Sequence, residues 1–202
     1  MSPRLQTLLH RLWDLRRRYL PRQSSPTGDY STEELEDMAS FRILVSAELE
    51  SYIEETAEEF LNKAKYLREA GKFTKTSATL LATQKDTSCP SATSEIKDRC
   101  FYLRACMSSE AQHARVIEAN KGASSHNFLR LFVPLGLDET KLDEQFLHNL
   151  GLLAVRRGDF AHKRVGAVQN IPNVVEDQAL ILSIARNLQS IEAQLDAALG
   201  TE

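Results

Sequence analysis

The sequence predicts an all-α fold, and three observations lead to that prediction. Apolar residues recur at three- and four-residue steps along much of the 202-residue chain, which is the period of an amphipathic helix. Helix-start and helix-stop residues bracket these stretches. Strand-like alternation of apolar and polar residues is nowhere sustained. A chain of this length fits one domain, or one domain with a decorated end, so we expect one helical bundle with an added N-terminal helix.

The N-terminal segment 1–22 predicts a basic amphipathic helix. Leucines recur along one side of a helix over 4–20, and Pro21 ends it. Six arginines against Asp14 give the segment a net charge of +5. Three roles are open for this helix: covering the core with its basic face exposed, binding nucleic acid, or lying on a membrane surface. Trp13 interrupts the polar side and leaves room for a partner.

The main helical domain is predicted over residues 31–200, after a linker at 23–30 that is rich in Ser, Pro and Gly. Ser31 and Glu34 have the spacing of a capping box, in which each side chain bonds the other residue's backbone N–H. The helix that they begin is expected to end just before Gly71, a natural C-cap.

A long loop is predicted at 72–94, where Thr, Ser and Lys dominate, with at most a short helix around 78–83. Loops of that length inside a compact domain are often functional or mobile. The remaining helices are expected over 95–106, 109–120 and 125–133, from Asp138 toward Arg156, and from Pro172-Asn173 onward.

Composition and charge exclude several classes of protein. No run approaches the roughly 18 apolar residues that a membrane span needs. The first twenty residues lack the apolar region and cleavage site of a secretory signal. The three cysteines form no CxxC pair, which is typical of a reducing compartment. We therefore expect a soluble, cytoplasmic protein without a transmembrane segment.

Residues 31–59 are strongly acidic, with ten carboxylates against Arg42 and a net charge of −9. These charges could pair with the basic N-terminal helix, or the two could face different partners. The histidines outside the motif described next show no metal-ligand spacing, so we expect no metal and no cofactor; they are His10, His113, His126 and His148.

The chemistry is expected in Arg157-Gly158-Asp159-Phe160-Ala161-His162. RNA can be cleaved by its own 2′-OH, which attacks the adjacent phosphate. That reaction needs a base, an acid for the leaving oxygen, and positive charge on the phosphorane. Histidine titrates near neutrality and suits either proton role. Arginine stays charged and binds phosphate oxygens through a planar fork.

This motif resembles that of the HEPN superfamily, in which an arginine, four residues and a histidine precede the last helix of an all-helical chain. It is most similar to the RiboL-PSP-type branch, whose core is arginine-asparagine-x-x-alanine-histidine. The segment 49–52, leucine-glutamate-serine-tyrosine, is similar to a pattern of that branch, and 128–137 resembles the stretch before its motif helix. Together the similar segments cover about residues 40–200, apart from the loop. One position departs from the branch, because Gly158 stands where a polar residue, often asparagine, is usual.

The resemblance implies a HEPN-like helical bundle and a metal-independent endoribonuclease that pairs two motifs across a homodimer. Such domains often serve in toxin–antitoxin or antiphage defence, so a cognate antitoxin or regulatory protein is an expected partner beside RNA. Arg157 and His162 are the expected catalytic residues. Arg156 is a rival to Arg157, since five intervening residues also occur in the superfamily.

Other residues have a supporting role in this interpretation. Asp159 lies three residues before His162 and could contact its ring. Glu50 is either a group near the motif or a solvated charge on an acidic helix. Lys163 and Arg164 could steer RNA phosphates, or are solvated. His162 itself could instead cap a helix C-terminus, where a cation is favourable.

Helix geometry leaves two forms of the site open. In a continuous helix Arg157 and His162 point about 140° apart, from five steps at 3.6 residues per turn. Either the helix breaks at Gly158, or the site forms where two motifs meet. Two further functions are compatible with the sequence: a non-catalytic HEPN module for dimerisation or RNA binding, which Gly158 favours, and a structural helical adaptor.

Overall fold

Seven α-helices and one 3-10 turn form the secondary structure that the computed structural model describes, in residues 1–21, 30–83, 95–162 and 174–200. Only the backbone is described for 95–100 and 159–162. These ranges contain no strand, so the all-α prediction is confirmed. The helices are α1 (Pro3–Tyr19), α2 (Thr32–Glu69), α3 (Lys75–Ala82), α4 (Glu95–Glu118), α5 (Ser125–Phe132), α6 (Glu144–His162) and α7 (Val174–Leu199), with the 3-10 turn at Glu139–Lys141.

Helix α2 begins and ends where its local sequence signals place it. The Ser31 N–H donates to Glu34 Oε2 at 2.8 Å, and the Glu34 N–H donates to Ser31 Oγ at 3.2 Å, so the predicted capping box is confirmed. At the other end Gly71 has a φ of +78°, and the Lys72 N–H donates to the Leu67 carbonyl. This left-handed glycine satisfies the last carbonyls of the helix.

Two boundaries differ from the predicted ones in the middle of the chain. α4 is one helix where two were expected, because the Ser109 hydroxyl bonds the carbonyls of Ala105 and Cys106 at 3.0 Å without breaking the helix. α3 begins earlier than expected, because the Thr74 hydroxyl accepts the Ser77 N–H and caps it. The predicted linker 23–30, except Tyr30, and residues 84–94 of the predicted loop lie outside the described residues.

Helix α6, which carries the motif, begins later than predicted and continues past Gly158. Asp138 caps the 3-10 turn instead, since its Oδ1 accepts the Thr140 N–H at 3.1 Å. Asp143 caps α6 by accepting the Gln145 N–H at 2.9 Å. The backbone is helical from Glu144 to His162, so the alternative in which the helix breaks at Gly158 is wrong.

The chain forms two compact units. Unit 1 consists of Met1–Ile53, Lys121–Asn127 and Lys141–Ser190, and unit 2 consists of Glu54–Asn120, Phe128–Thr140 and Ile191–Glu202. The core of unit 1 is built from α1, α2, α6 and α7, and its most buried side chains include Leu5, Met38, Phe41, Leu49, Phe146 and Leu150. None of the described helices is long and apolar enough to cross a membrane.

Helix α1 packs into the core of unit 1. Its Leu5, Leu8 and Leu12 are buried, which is the first of the three roles considered for this helix. α1 is basic and α2 is acidic, and one pair of these charges meets within unit 1, because Arg11 Nη1 lies 2.9 Å from Glu48 Oε2. Arg17 and Arg18 remain exposed at the C-terminal end, where cations interact favourably with the helix dipole.

Unit 2 has a close backbone approach at the turn after α5. Gly136 has a φ of +100°, and a Cβ placed there would lie 2.8 Å from the Ala198 Cβ, so the position requires glycine. Two threonine hydroxyls of α3 hold the same turn. Thr76 donates to the Leu135 carbonyl and Thr79 to the Pro134 carbonyl, both at 2.9 Å.

Candidate active site

Glu50 of α2 and Arg157 of α6 form an ion pair in unit 1, with Nη1 of the arginine 3.2 Å from Oε2 of the glutamate. Leu49 and Tyr52 on either side of Glu50 are both buried, with 0% and 5% exposure. Their packing fixes the rotation of α2 and thereby the direction of the Glu50 carboxylate. Glu50 of the segment 49–52 therefore contacts Arg157, the first residue of the motif.

Glu50 holds a second group with its other carboxylate oxygen, because Oε1 accepts the backbone N–H of Gly122. Gly122 has a φ of +96°, and a Cβ there would lie 3.4 Å from Arg157 Nη1. A larger residue would be strained and would crowd the guanidinium. Asn127 fixes the turn, as its Nδ2 donates to the carbonyls of Lys121 at 2.8 Å and Gly122 at 3.1 Å.

Arg157 is partly open to solvent despite this pairing. Its side chain is 39% exposed, against 19% for Glu50. A guanidinium carries five N–H donors, and Glu50 contacts one of them, on Nη1. Glu50 thus orients one edge of the fork, and among the described residues the other edge is open to an oxyanion.

Arg156 has different surroundings from its neighbour. Its Nη1 lies 2.5 Å from Asp177 Oδ1 and its Nη2 lies 3.5 Å from Glu176 Oε2, both on α7. Asp177 Oδ2 also accepts a hydrogen bond from Arg42 Nε at 2.7 Å, and the side chains of Asp177 and Arg42 are both buried. The Arg42–Asp177–Arg156 triad joins α2, α7 and α6 within unit 1. Arg156 therefore contacts two carboxylates through both of its terminal nitrogens, whereas Arg157 contacts one carboxylate through Nη1.

The remaining predicted residues lie at the end of α6 or beyond it. The backbone of Asp159 and His162 is helical, but their side chains lie outside the described residues, as do Lys163 and Arg164 altogether. Because the helix is continuous, the Cα atoms of residues 157 and 162 lie about 140° apart around its axis, with a rise of about 7.5 Å between them.

Gly158 has helical geometry. It does not have a positive φ, and a Cβ built on it meets nothing within 4 Å among the described residues. The first atom of a side chain such as asparagine, the usual residue of the resembling branch at this position, therefore meets no described neighbour. The glycine is therefore not required by the packing of the described residues.

Sequence reasoning missed Gly122 and Asn127 as parts of this site. The sequence predicts helices over 109–120 and 125–133, but it does not connect Gly122 or Asn127 with the motif. The local sequence predicts a turn between these two helices. It does not predict that the turn contacts Glu50, which lies 72 residues away. A comparison with known protein families, with curated proteins and with solved structures finds no match to this chain, so the site rests on its own geometry.

Proposed function

We propose that the chain is a HEPN-like, metal-independent endoribonuclease that cleaves single-stranded RNA. The observation that carries this proposal is the Glu50–Arg157 pair, which brings together two segments that each resemble the same superfamily. Glu50 is 19% exposed and its carboxylate contacts the motif arginine, so it is not a fully solvated charge on α2. The role of Glu50 as a group near the motif therefore becomes the stronger of its two interpretations.

Arg157 supplies positive charge at the phosphate in this proposal. One edge of its guanidinium is held by Glu50, so the fork is oriented before RNA binds and loses little freedom on binding. The negative Glu50 carboxylate also offsets part of the positive charge of Arg157, which would otherwise stabilise the phosphorane. A second Arg157 at the same phosphate, from another copy of the chain, restores that charge.

Two copies also solve the geometric problem of the motif. Since α6 is continuous, the Cα atoms of residues 157 and 162 lie about 140° apart around the helix axis of one copy. A homodimer that opposes two α6 helices at its two-fold axis can bring both arginines and both histidines to one phosphate. Such a site has two histidines, one to act as the base and one as the acid. A strictly monomeric protein that still cleaves RNA, tested by light scattering at micromolar concentration, would contradict this arrangement.

The proposed reaction is transesterification by the substrate's own hydroxyl. One His162 takes the proton of the 2′-OH, and the 2′-oxygen forms a bond to phosphorus. The bond from phosphorus to the 5′-oxygen breaks, and the second His162 donates a proton to that oxygen. The products are a 2′,3′-cyclic phosphate and a 5′-OH end. Asp159 is assigned to orient His162, and Lys163 and Arg164 to attract the RNA backbone.

The experiment that tests the proposal treats total cellular RNA with the wild-type protein and with His162→Ala, and determines the chemistry of the new ends. Cyclic phosphate ends that appear only with the wild type support the proposal. Intact RNA with both proteins contradicts it. In a cell, such an activity requires control, so we place it in a toxin–antitoxin or antiphage system with a cognate regulatory protein.

A non-catalytic HEPN module that dimerises or binds RNA is the second candidate, and Gly158 is the observation that favours it. The asparagine that is usual at this position could orient the site or an RNA phosphate, and glycine can do neither. Because a Cβ at this position meets no described atom within 4 Å, Gly158→Asn is the variant that introduces this side chain. RNA binding without cleavage in the wild type, together with cleavage in Gly158→Asn, would favour the non-catalytic module.

A further inference from the structure

An apolar groove lies on unit 1, away from Glu50 and Arg157. It is lined by Leu9 and Trp13 of α1, Phe41 of α2, and Ile181 and Leu182 of α7, and it has a volume of about 80 Å³. A dry cavity of about 150 Å³ holds a benzene molecule. The groove therefore has room for about one aliphatic side chain.

The two side chains at the mouth of the groove are unusually open to solvent. Trp13 is 51% exposed and Leu182 is 53% exposed, although both line the same depression. A concave apolar surface with polar residues at its edge is typical of a site that another molecule covers. Because Trp13 is the single tryptophan of the chain, its emission reports on this groove alone.

One arginine lines the groove, and a second lies on the same face of α7 as the lining residue Leu182. On α1, Arg16 is part of the lining, and its guanidinium carbon lies 4.8 Å from the centre of the Trp13 ring. On α7, the exposed Arg186 follows Leu182 by four residues and therefore lies on the same face of the helix. The lining residues include no carboxylate. The groove thus combines an apolar floor with cationic edges.

We propose that this groove docks an amphipathic helix of an acidic partner protein. One aliphatic side chain of that helix fills the cavity beside Trp13 and Leu182. Carboxylates one turn away on either side pair with Arg16 and Arg186. Binding of this kind, with apolar anchors at helical spacing in a groove between helices, is a recurring mode of peptide recognition.

The shape and lining of the groove distinguish this occupant from two others. An anionic membrane would also attract arginines and a tryptophan, but a flat bilayer does not fill a depression between two helices. RNA would need donors for its phosphates and an open ring for base stacking, whereas the floor is apolar and Arg16 already lies over Trp13. A helix with one apolar face and acidic flanks can pack its apolar side chains on the floor of the groove and pair its carboxylates with the arginines.

The probe for the test is a lactam-bridged helical peptide of about 20 residues, with leucines along one face and glutamates on both flanks. A counterpart with lysines in place of the glutamates is the charge control. Binding is followed by Trp13 emission and by the anisotropy of labelled peptide. We expect a blue shift of the emission and saturable binding of the glutamate peptide, and at least about tenfold weaker binding of the lysine peptide.

Two exposed positions test the location of binding. Leu182→Ser and Arg186→Glu should each weaken binding of the glutamate peptide about tenfold or more. Met107→Ser and Arg104→Glu, which change an exposed apolar residue and an exposed cation of α4 in unit 2, should leave it unchanged. Equal effects of the two pairs of variants would overturn the proposal.

Three other outcomes also overturn it. The first is no saturable binding of the glutamate peptide, or equal binding of the lysine peptide. The second is a Trp13 blue shift with phosphatidylserine vesicles but not with the peptide, which would indicate a membrane. The third is self-association that buries Trp13 and is abolished by Leu182→Ser, which would indicate a second copy. Since neither Glu50 nor Arg157 lines the groove, failure here is distinguishable from failure of the proposed RNA cleavage.

Discussion

Glu50 bridges Arg157 and Gly122, with one carboxylate oxygen on the guanidinium at 3.2 Å and the other on a backbone N–H. A residue in α2 therefore sets the direction of an arginine in α6. If the arginine binds a phosphorane, the charge and shape of Glu50 matter for the rate even though Glu50 does not touch the substrate.

Glu50→Gln keeps the size of the side chain and removes its charge. The amide also presents an N–H₂ group to either Gly122 or Arg157, both of which donate, so the bridge is broken on one side. We expect the cleavage rate to fall about tenfold, equivalent to ~1.4 kcal/mol in the barrier. Glu48→Gln is the matched control, since Glu48 lies on the same helix as Glu50 and also pairs with an arginine, Arg11 of α1. Equal rates for both variants in a single-turnover cleavage assay would remove Glu50 from the site.

Asp177→Asn tests the separation of Arg156 from Arg157. The change removes the carboxylate charge that Arg42 and Arg156 share, and Arg42 is buried. Breaking a buried pair in this way costs about 3–5 kcal/mol of unfolding free energy. Glu176→Gln, at a largely exposed residue that also contacts Arg156, should change it by less than about 1 kcal/mol. Urea unfolding of the two variants measures the difference, and similar losses would contradict the assigned role of the triad.

Two glycines of the site should respond in opposite directions to the same substitution. Gly158→Ala adds a side chain to open space inside a helix, so we expect a gain of about 1 kcal/mol in unfolding free energy. Gly122→Ala forces alanine into a φ of +96° against Arg157, so we expect a loss of about 1 kcal/mol or more. Thermal unfolding provides both values. A loss at Gly158 would show that the helix is not continuous there.

His113 of unit 2 gives the protein a specific sensitivity to acid. Burial lowers its pKa from 6.5 to about 4, and a backbone hydrogen bond with Leu131 opposes this shift only in part. The unfolded chain takes up the proton near pH 6.5 and the folded chain does not until about pH 4. Unfolding free energy therefore falls as pH falls through this window, by up to about 3 kcal/mol.

Replacement of this histidine tests the pH effect. His113→Gln should make the unfolding free energy less dependent on pH between 6.5 and 4, whatever its effect at pH 7. His10→Gln, at an exposed position of α1, serves as the control and should retain the wild-type dependence. Urea unfolding at a series of pH values provides the comparison. An unchanged slope in His113→Gln would assign the acid sensitivity to other groups.

The sequence predicted those parts of the fold that depend on near neighbours. The Ser31–Glu34 capping box and the Gly71 cap join residues within one or two helical turns, so local patterns were enough. The predicted division of α4 into two helices was wrong, because the Ser109 hydroxyl bonds carbonyls of the preceding turn and the helix continues through it.

The candidate site depends on contacts between distant residues, and the sequence predicted it only in part. Arg156 and Arg157 are chemically identical, and their roles differ because the first faces Asp177 and the second faces Glu50. No local pattern contains that information. Glu50 was singled out through a resemblance, but whether it faced the motif or solvent needed the three-dimensional arrangement of α2 and α6.

The most direct test of the account uses an RNA oligonucleotide with a single 2′-deoxy substitution at the cleaved site, in excess EDTA. The account predicts that the unmodified oligonucleotide is cut to a 2′,3′-cyclic phosphate and a 5′-OH, while the deoxy position is not cut because it lacks the nucleophile. Arg157→Ala and His162→Ala should each slow cleavage about 100-fold or more. Cleavage that persists at the deoxy position, or cleavage of the unmodified RNA that EDTA abolishes, would contradict the account.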